Sequence, residues 1–431
     1  MGEINTIEKP GYKHTKLGWI PEDWKVRKIS EVFEFLPTNS YSRNKMNYDI
    51  SAGSILNIHY GDIHATYKEP MLNFELEKEI PALNSDLVLG KNLSFLKEGD
   101  LIIADASEDY NGVGAAIELK NLNERKCVAG LHTLALRDVS DFTIKGFRAY
   151  IFKNPKVSKA IKVIATGSKV FGISKANLDK FQIILPPLPE QQKIAQILST
   201  WDKAITKTEE LIRKKQEQKK GLMQQLLTGK MRFREFKGER WHNTEIGNVI
   251  KFSGGSQPPR STFRFEKQEG FIRLIQNRDY KTDKYKTYIP EDLAKKLCDE
   301  SDIMIGRYGP PLFQIFRGLK GAYNVALIKA IPDESQITKE YCWYFINRPE
   351  LQKYIDGFSQ RSGGQTGIEM DRLNTYPLPL PSIKEQQKIT SVLISSDKEI
   401  SKLRSKLDQL RDQKKGLMQK LLTGEVRVKI D

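Results

Sequence analysis

Asp100, Glu118 and Lys120 form the set best able to do chemistry, since two carboxylates and a lysine could hold Mg²⁺ against a phosphodiester. The second half of the chain offers no second copy of that set. Other catalytic signatures do not assemble either. No Asn/Asp-Pro-Pro-aromatic tetrapeptide and no glycine-rich methyl-donor loop following a strand is found. Gly221 and Gly229-Lys230 lie too far apart for a phosphate loop, and Met231 stands where its Ser/Thr would be. His59 and His64 lie close together, but no carboxylate cluster of metal-ligand spacing surrounds them, so they read as hydrogen-bonding or structural histidines. Cys127, Cys298 and Cys342 are scattered without a C-x-x-C pair. Zinc and a disulfide framework are unsupported, and a reducing cytoplasm is the expected setting.

Charge points elsewhere. Seventy Lys+Arg against 54 Asp+Glu give a formal charge of +16, which favours polyanionic partners, nucleic acid first and acidic membrane second. No apolar run approaches a membrane span. Met1–Thr6 fits a myristoylation pattern, but no second anchor follows, so no membrane partner is expected.

The elements that would position any site are set by a repeat. Glu190–Gly229 and Glu385–Gly424 align without a gap at a constant offset (385 − 190 = 195), with 21 of 40 positions identical. Each copy carries a 4-3-4-3 stripe. The first is Ile194, Leu198, Trp201, Ile205, Thr208, Ile212, Lys215, Lys219, Leu222 and Leu226. The second is Ile389, Leu393, Ser396, Ile400, Leu403, Leu407, Leu410, Lys414, Leu417 and Leu421. Such a stripe predicts coiled-coil helices of about 38 residues, roughly 57 Å long. Prolines (186, 187, 189; 377, 379, 381) block helix before each, and Thr228-Gly229 and Thr423-Gly424 supply left-handed caps after each. Neither helix is stable alone, and antiparallel pairing would make the two repeats equivalent by a pseudo-two-fold. Lys215 and Lys219 fall on the seam, which implies a wet or functional stretch, or a stutter.

The regions before the helices are diverged copies. Trp24 and Trp241 open them, Gly172-Ile173 matches Gly367-Ile368 at offset 195, and Gly99–Ile103 resembles Ser301–Ile305 at offset 202. Short β-branched runs (101–104, 134–136, 183–185, 303–305) alternate with turns and short helices, so each copy reads as α+β, a mixed α/β domain. The expected boundaries are a first domain at 1–187, a first spacer helix at 188–229, a second domain at 230–381, a second spacer helix at 382–425, and a tail at 426–431.

This order, domain–helix–domain–helix, resembles the specificity subunit of type I restriction–modification enzymes over essentially the whole chain. The residues that carry the resemblance are the duplicated Pro-Leu-Pro…Glu-Gln-Gln-Lys-Ile helix start and the Lys-Lys-Gly-Leu-Met-Gln-x-Leu-Leu-Thr-Gly end. The Trp19–Trp24 opening, Ser253–Ser256, Asp302–Gly309 and Ser362–Ile368 add to it. The resemblance implies a non-catalytic reader of double-stranded DNA. Two target recognition domains would each read half of a bipartite site, with the helices as ruler and as docking surface for two methyltransferase subunits. Restriction motor–nuclease subunits would join them, and S-adenosylmethionine, ATP and Mg²⁺ would sit on those partners, with no cofactor on this chain. A 57 Å spacer covers about 17 bp at most.

Base readout needs Arg or Lys for guanine and Asn or Gln for adenine, while phosphates take Lys, Arg and small donors. In the first domain the candidates are Tyr41, Arg43, Asn44, Lys45, Asn57, His59, His64, Lys91, Asn92, and the glycine-rich turn with Ser168 and Lys169. In the second they are Gln257, Arg260, Gln276, Asn277, Arg278, Arg307, Tyr308, Arg361, Ser362 and Gln365. Near-identical stretches at the helix ends make Lys219, Lys220, Met223, Gln224, Lys414, Lys415, Met418 and Gln419 candidates for partner docking. Two rival readings are a free-standing DNA-binding regulator and a coiled-coil scaffold with ligand-binding ends.

Overall fold

The two repeated helices are continuous, Leu188–Leu226 (39 residues) and Ile383–Thr423 (41 residues), in a computed structural model. The described residues are 9–430, except 52–53, 68, 88–89, 91–92, 168, 310, 359 and 363–364; at 111, 360–362 and 365–366 only the backbone is described. All twenty seam positions are buried or half-buried and none is exposed, so the 4-3-4-3 spacing marks the packed stripe. Pro189 lies within the first turn of its helix, where its missing N–H costs nothing. Gly229 and Gly424 both adopt φ +71°, the left-handed caps that the Thr-Gly endings predict.

The chain divides into two units. Unit 1 comprises Met1–Glu209 with Ser405–Asp431, and unit 2 comprises Glu210–Arg404. In unit 1 the start of the first long helix therefore packs with the end of the second, and in unit 2 the reverse holds, so the pairing is antiparallel.

Unit 1 holds a five-stranded sheet in the order Phe33–Leu36, Thr133–Asp138, Leu101–Ala104, Ala116–Lys120, Met71–Asn73. Its central strand Leu101–Ala104 is buried at every residue, as an uninterrupted Leu-Ile-Ile-Ala run requires. A second sheet runs Lys126–Ala129, Ile55–Ile58, Ala82–Leu83, Met46–Asn47. Unit 2 repeats the plan in four strands: Ile250–Gly254, Leu327–Pro332, Ile303–Gly306, Ile315–Phe316. Its second sheet is Tyr288–Pro290, Phe271–Ile275, Gly321–Tyr323, Leu297–Cys298. A closing strand pair recurs as well: Lys25–Lys28 with Gln182–Leu185, and His242–Glu245 with Pro377–Leu380.

Burial explains the first two residues of the duplicated Glu-Gln-Gln, while the third, Gln192 and Gln387, is exposed. Glu190 and Gln191 in unit 1, and Glu385 and Gln386 in unit 2, are all 0 % exposed. Trp24 Nε1 donates to Glu190 at 2.8 Å and Trp241 Nε1 to Glu385 at 2.8 Å. Gln191 donates to the carbonyls of Phe142 and Pro186 and accepts from Ile144 N–H. Gln386 does the same with Gln336, Pro381 and Thr338. Each glutamine thus satisfies three backbone groups, one of them, the carbonyl of Pro186 or Pro381, in the interior.

The seam lysines also have partners. In unit 2 Lys219 pairs with Asp397, which accepts from Tyr344 at 2.7 Å, and Lys215 pairs with Glu399 at 2.9 Å. In unit 1 Lys414 pairs with Asp202, which accepts from Tyr150 at 2.8 Å. Lys414 also reaches Glu69 at 2.9 Å. Burial and the hydrogen bond with Glu69 push the Asp202 carboxyl up to about 6. The register therefore contains no stutter. The polar residues are matched across the helix pair, which specifies its orientation.

Candidate nucleic-acid interface

In unit 1 the strand Ile55–Ile58 runs into the short helix Tyr60–Ala65, capped by His59, whose side chain accepts from Gly61 N–H at 3.1 Å. Burial lowers the His59 pKa, the direction that favours the neutral ring a capping acceptor requires. Three histidines gather about Tyr60, with ring centroids at 4.6 Å (His59), 6.3 Å (His64) and 5.2 Å (His132). His64 Nε2 lies 3.0 Å from the Ala106 carbonyl oxygen, and His132 Nδ1 lies 3.2 Å from Asp105. Arg43 joins this group through buried Asp62 at 2.8 Å. Burial works against the guanidinium charge, but Asp62 outweighs it and raises the Arg43 pKa.

The glycine-rich turn docks on the same region. Thr166 and Gly172 bridge, and Phe171–Gly172 pairs antiparallel with Ala106–Ser107, placing Phe171 edge-on to Tyr110 at 5.1 Å. Lys169 on that turn is exposed, while Ser168, like Lys91 and Asn92, lies outside the described residues. Asn44 and Lys45 are exposed on the turn Arg43–Lys45, and the Tyr41 hydroxyl accepts from Gly90 N–H at 3.2 Å. Asn57 is a correction. It is 0 % exposed and accepts from Asn39 at 2.8 Å, so its amide orders the loop from within and cannot touch a ligand.

Unit 2 repeats the device. The strand Phe271–Ile275 runs into the turn Asn277–Tyr280, with Gln276 and Asp279 forming a reciprocal capping box. Arg307 and Tyr308 follow the strand Ile303–Gly306, and Tyr308 bridges Gly367 as Ala106 meets Gly172 in unit 1. A Cβ on Gly306 would lie 3.0 Å from Asn277 Nδ2, so Asn277 sits beside the root of Arg307. Gln257 and Arg260 are exposed on the loop after Ile250–Gly254. That loop leaves the sheet at Gly255, where a Cβ would fall 1.9 Å from the Asn324 carbonyl oxygen, so only glycine fits. Arg361, Ser362 and Gln365 lie on the hairpin Gln360–Ser362/Gln365–Gly367, where their side chains fall outside the described residues.

The docking candidates divide. Lys220, Gln224, Lys415 and Gln419 are exposed, with Gln224 donating to Glu350 at 3.1 Å. Lys219 and Lys414 are half-buried, and each is engaged in an ion pair across the helix pair. Met223 is buried in the unit 2 core, and Met418 packs on that of unit 1.

The nuclease-like set is engaged structurally. Asp100 takes a bidentate pair from Arg137 at 3.0 and 2.7 Å, and Glu118 accepts from the backbone of Gly146 and Ala149. Among the described residues no His/Cys/Asp/Glu group could hold a metal ion, and no helix is long and apolar enough to cross a membrane.

Two arginines escape sequence reasoning. Arg427 donates to Glu190 at 2.7 and 2.9 Å, and Arg232 donates to Glu385 at 2.9 and 2.7 Å. Carrying the repeat three residues past Gly229 and Gly424 reveals them, since 427 − 232 = 195. Arg427, within the expected tail, is therefore a structural clamp.

The sequence model of the type I restriction modification DNA specificity domain matches residues 21–216 and 238–411. The putative type I restriction enzyme MjaX specificity subunit of Methanocaldococcus jannaschii is 26% identical, covering 99% of each chain. The EcoKI specificity subunit of Escherichia coli is 22% identical over 86% of this chain and 82% of its own. In fold, the chain is similar to the type I S subunit from M. genitalium, with TM-score 0.51, 15% identity, and 92% and 96% of the two chains covered. A structure described as the assembly and conformational transition of the type I R-M system gives TM-score 0.56 at 15% identity, covering 94% and 99%. A duplicated match over most of its length places this chain in the family of type I restriction–modification specificity subunits.

Proposed function

We propose that this chain is the non-catalytic DNA reader of a type I restriction–modification system, each unit reading one half of a bipartite duplex sequence. The observation that carries this is the repetition, in two diverged domains, of one device: a capped strand end beside a hairpin. Each copy presents a different set of side chains. His59, His64, Arg43 and Lys169 stand at the first, and Gln276, Asn277, Arg278, Arg307 and Tyr308 at the second. Divergence there, against 21 of 40 identical positions and no gap in the helices, fits two readers of different bases on one fixed frame.

The functional segments are target recognition domains at 1–187 and 230–381, with spacer helices at 188–229 and 382–425. Exposed Lys220, Gln224, Lys415 and Gln419 present equivalent surfaces to two methyltransferase subunits. S-adenosylmethionine, ATP and Mg²⁺ belong to the methyltransferase and the motor–nuclease, and the assembly works in the cytoplasm. Footprinting of the chain with its methyltransferase on duplex DNA tests the reading. Two protected base-specific segments flanking a sequence-tolerant spacer are expected, and one continuous specific segment would contradict it.

A further inference from the structure

Unit 2 carries a groove that lies apart from the base-reading loops proposed above except at Arg278. It is lined by Phe265, Lys267, Arg278, Lys284, Tyr285 and Lys286. Two features set it off. Phe265 is 74% exposed and Tyr285 53%, large aromatics that folding leaves in water. Cations also surround them: Lys284 Nζ lies 5.5 Å and Arg278 Cζ 5.9 Å from the Tyr285 ring centroid. The groove acid, Asp283, is already neutralised by Arg273 at 2.9 Å and Lys286 at 3.3 Å. Residues 264–288 hold seven Lys/Arg against four Asp/Glu. The equivalent stretch of unit 1 runs from 47, at the offset that relates Trp24 to Trp241 (241 − 24 = 217), to 82. There Ala82–Leu83 pairs with Ile55–Ile58 as Tyr288–Pro290 does with Phe271–Ile275, and the stretch holds two against six. The groove is thus a property of this unit and not of the fold.

Exposed aromatics set among lysines suit a nucleic-acid backbone, with cations on phosphates and rings against sugars or base faces. We propose that this groove is a second DNA contact, a phosphate cradle that adds affinity without reading sequence and loads that affinity onto unit 2. It rests on the DNA-reading function proposed above.

The test uses the full chain with its methyltransferase, titrated against a duplex carrying the methylated motif and a scrambled duplex over a range of salt. Lys267→Gln with Lys284→Gln, both exposed positions, should weaken binding to the two duplexes by the same factor, several-fold to about tenfold. The slope of log K against log salt should fall by about 2, at roughly 0.9 for each phosphate that a lysine no longer neutralises. Lys267→Glu with Lys284→Glu should weaken both further, with the methylated motif unchanged. An unaltered slope in both variants would overturn the cradle, as would a loss confined to the motif duplex, which would mean base readout. Failure of the unsubstituted complex to bind either duplex would instead overturn the DNA-reading function itself.

Discussion

Arg427, three residues beyond the cap of the second long helix, closes a two-point hydrogen bond on Glu190, the first acid of the first long helix. Arg232, three residues beyond the cap of the first, does the same to Glu385 at the start of the second. Within each unit the exit of one helix is thereby fastened to the entry of the other, and a tryptophan N–H completes the carboxylate's shell. Arg427 also pairs with Asp23 at 2.9 and 2.7 Å.

Removing that clamp strands a carboxylate with no solvent access. Arg427→Ala should cost unit 1 about 3 kcal/mol, the lower end for breaking a buried pair, because Arg427 itself is partly exposed. Deleting residues 426–431 should cost at least as much. Hydrogen exchange resolved by segment checks this: protection should fall in residues 188–209 and 405–423 while unit 2 keeps its own.

The two seam lysines should differ in weight. Lys414 and Asp202 have side chains 13% and 16% exposed, against 21% and 43% for Lys219 and Asp397. Lys414→Met should therefore cost about 3 kcal/mol and Lys219→Met about 1 kcal/mol, read from urea unfolding. Equal costs would mean that burial does not set the strength of these pairs.

Glu118 gives unit 1 a pH dependence. Burial raises its pKa to about 7, against the lowering by N–H groups at the start of helix Arg148–Lys153. The folded state then binds more protons than the unfolded state between pH 4.5 and 7, so stability falls as pH rises through that window and levels off above it. The fall attributable to this group is about 3 kcal/mol. Glu118→Gln should flatten that part of the stability–pH curve, measured by denaturant midpoints from about pH 5 to about pH 8.

Helix length should set the spacer alone. Four residues added to each long helix, near Ile212 and near Leu407, lengthen each by about 6 Å, close to two base pairs. The methylated motif should gain spacer bases with both half-sites unchanged. A change within a half-site would refute the ruler.

The helices are fully legible in the sequence because a 4-3-4-3 stripe, proline stops and a glycine cap are local signals, stated twice. The lysines on the seam are visible there as anomalies, yet their partners Asp202 and Asp397 sit on the opposite helix, where no local pattern points to them. Asn57 shows the same limit in the domains. A polar residue beside a strand reads as a surface contact, and only the fold reveals that Asn39 holds it inside. Arg427 escapes notice when the repeat is closed at Gly424, three residues too soon.

The central claim is tested most directly by single-molecule methylome sequencing of cells expressing this chain with a type I DNA methyltransferase subunit, each also expressed without the other. A new bipartite methylated motif that requires both chains is the predicted result. Methylation by a demonstrably active methyltransferase that is unchanged by this chain would contradict it.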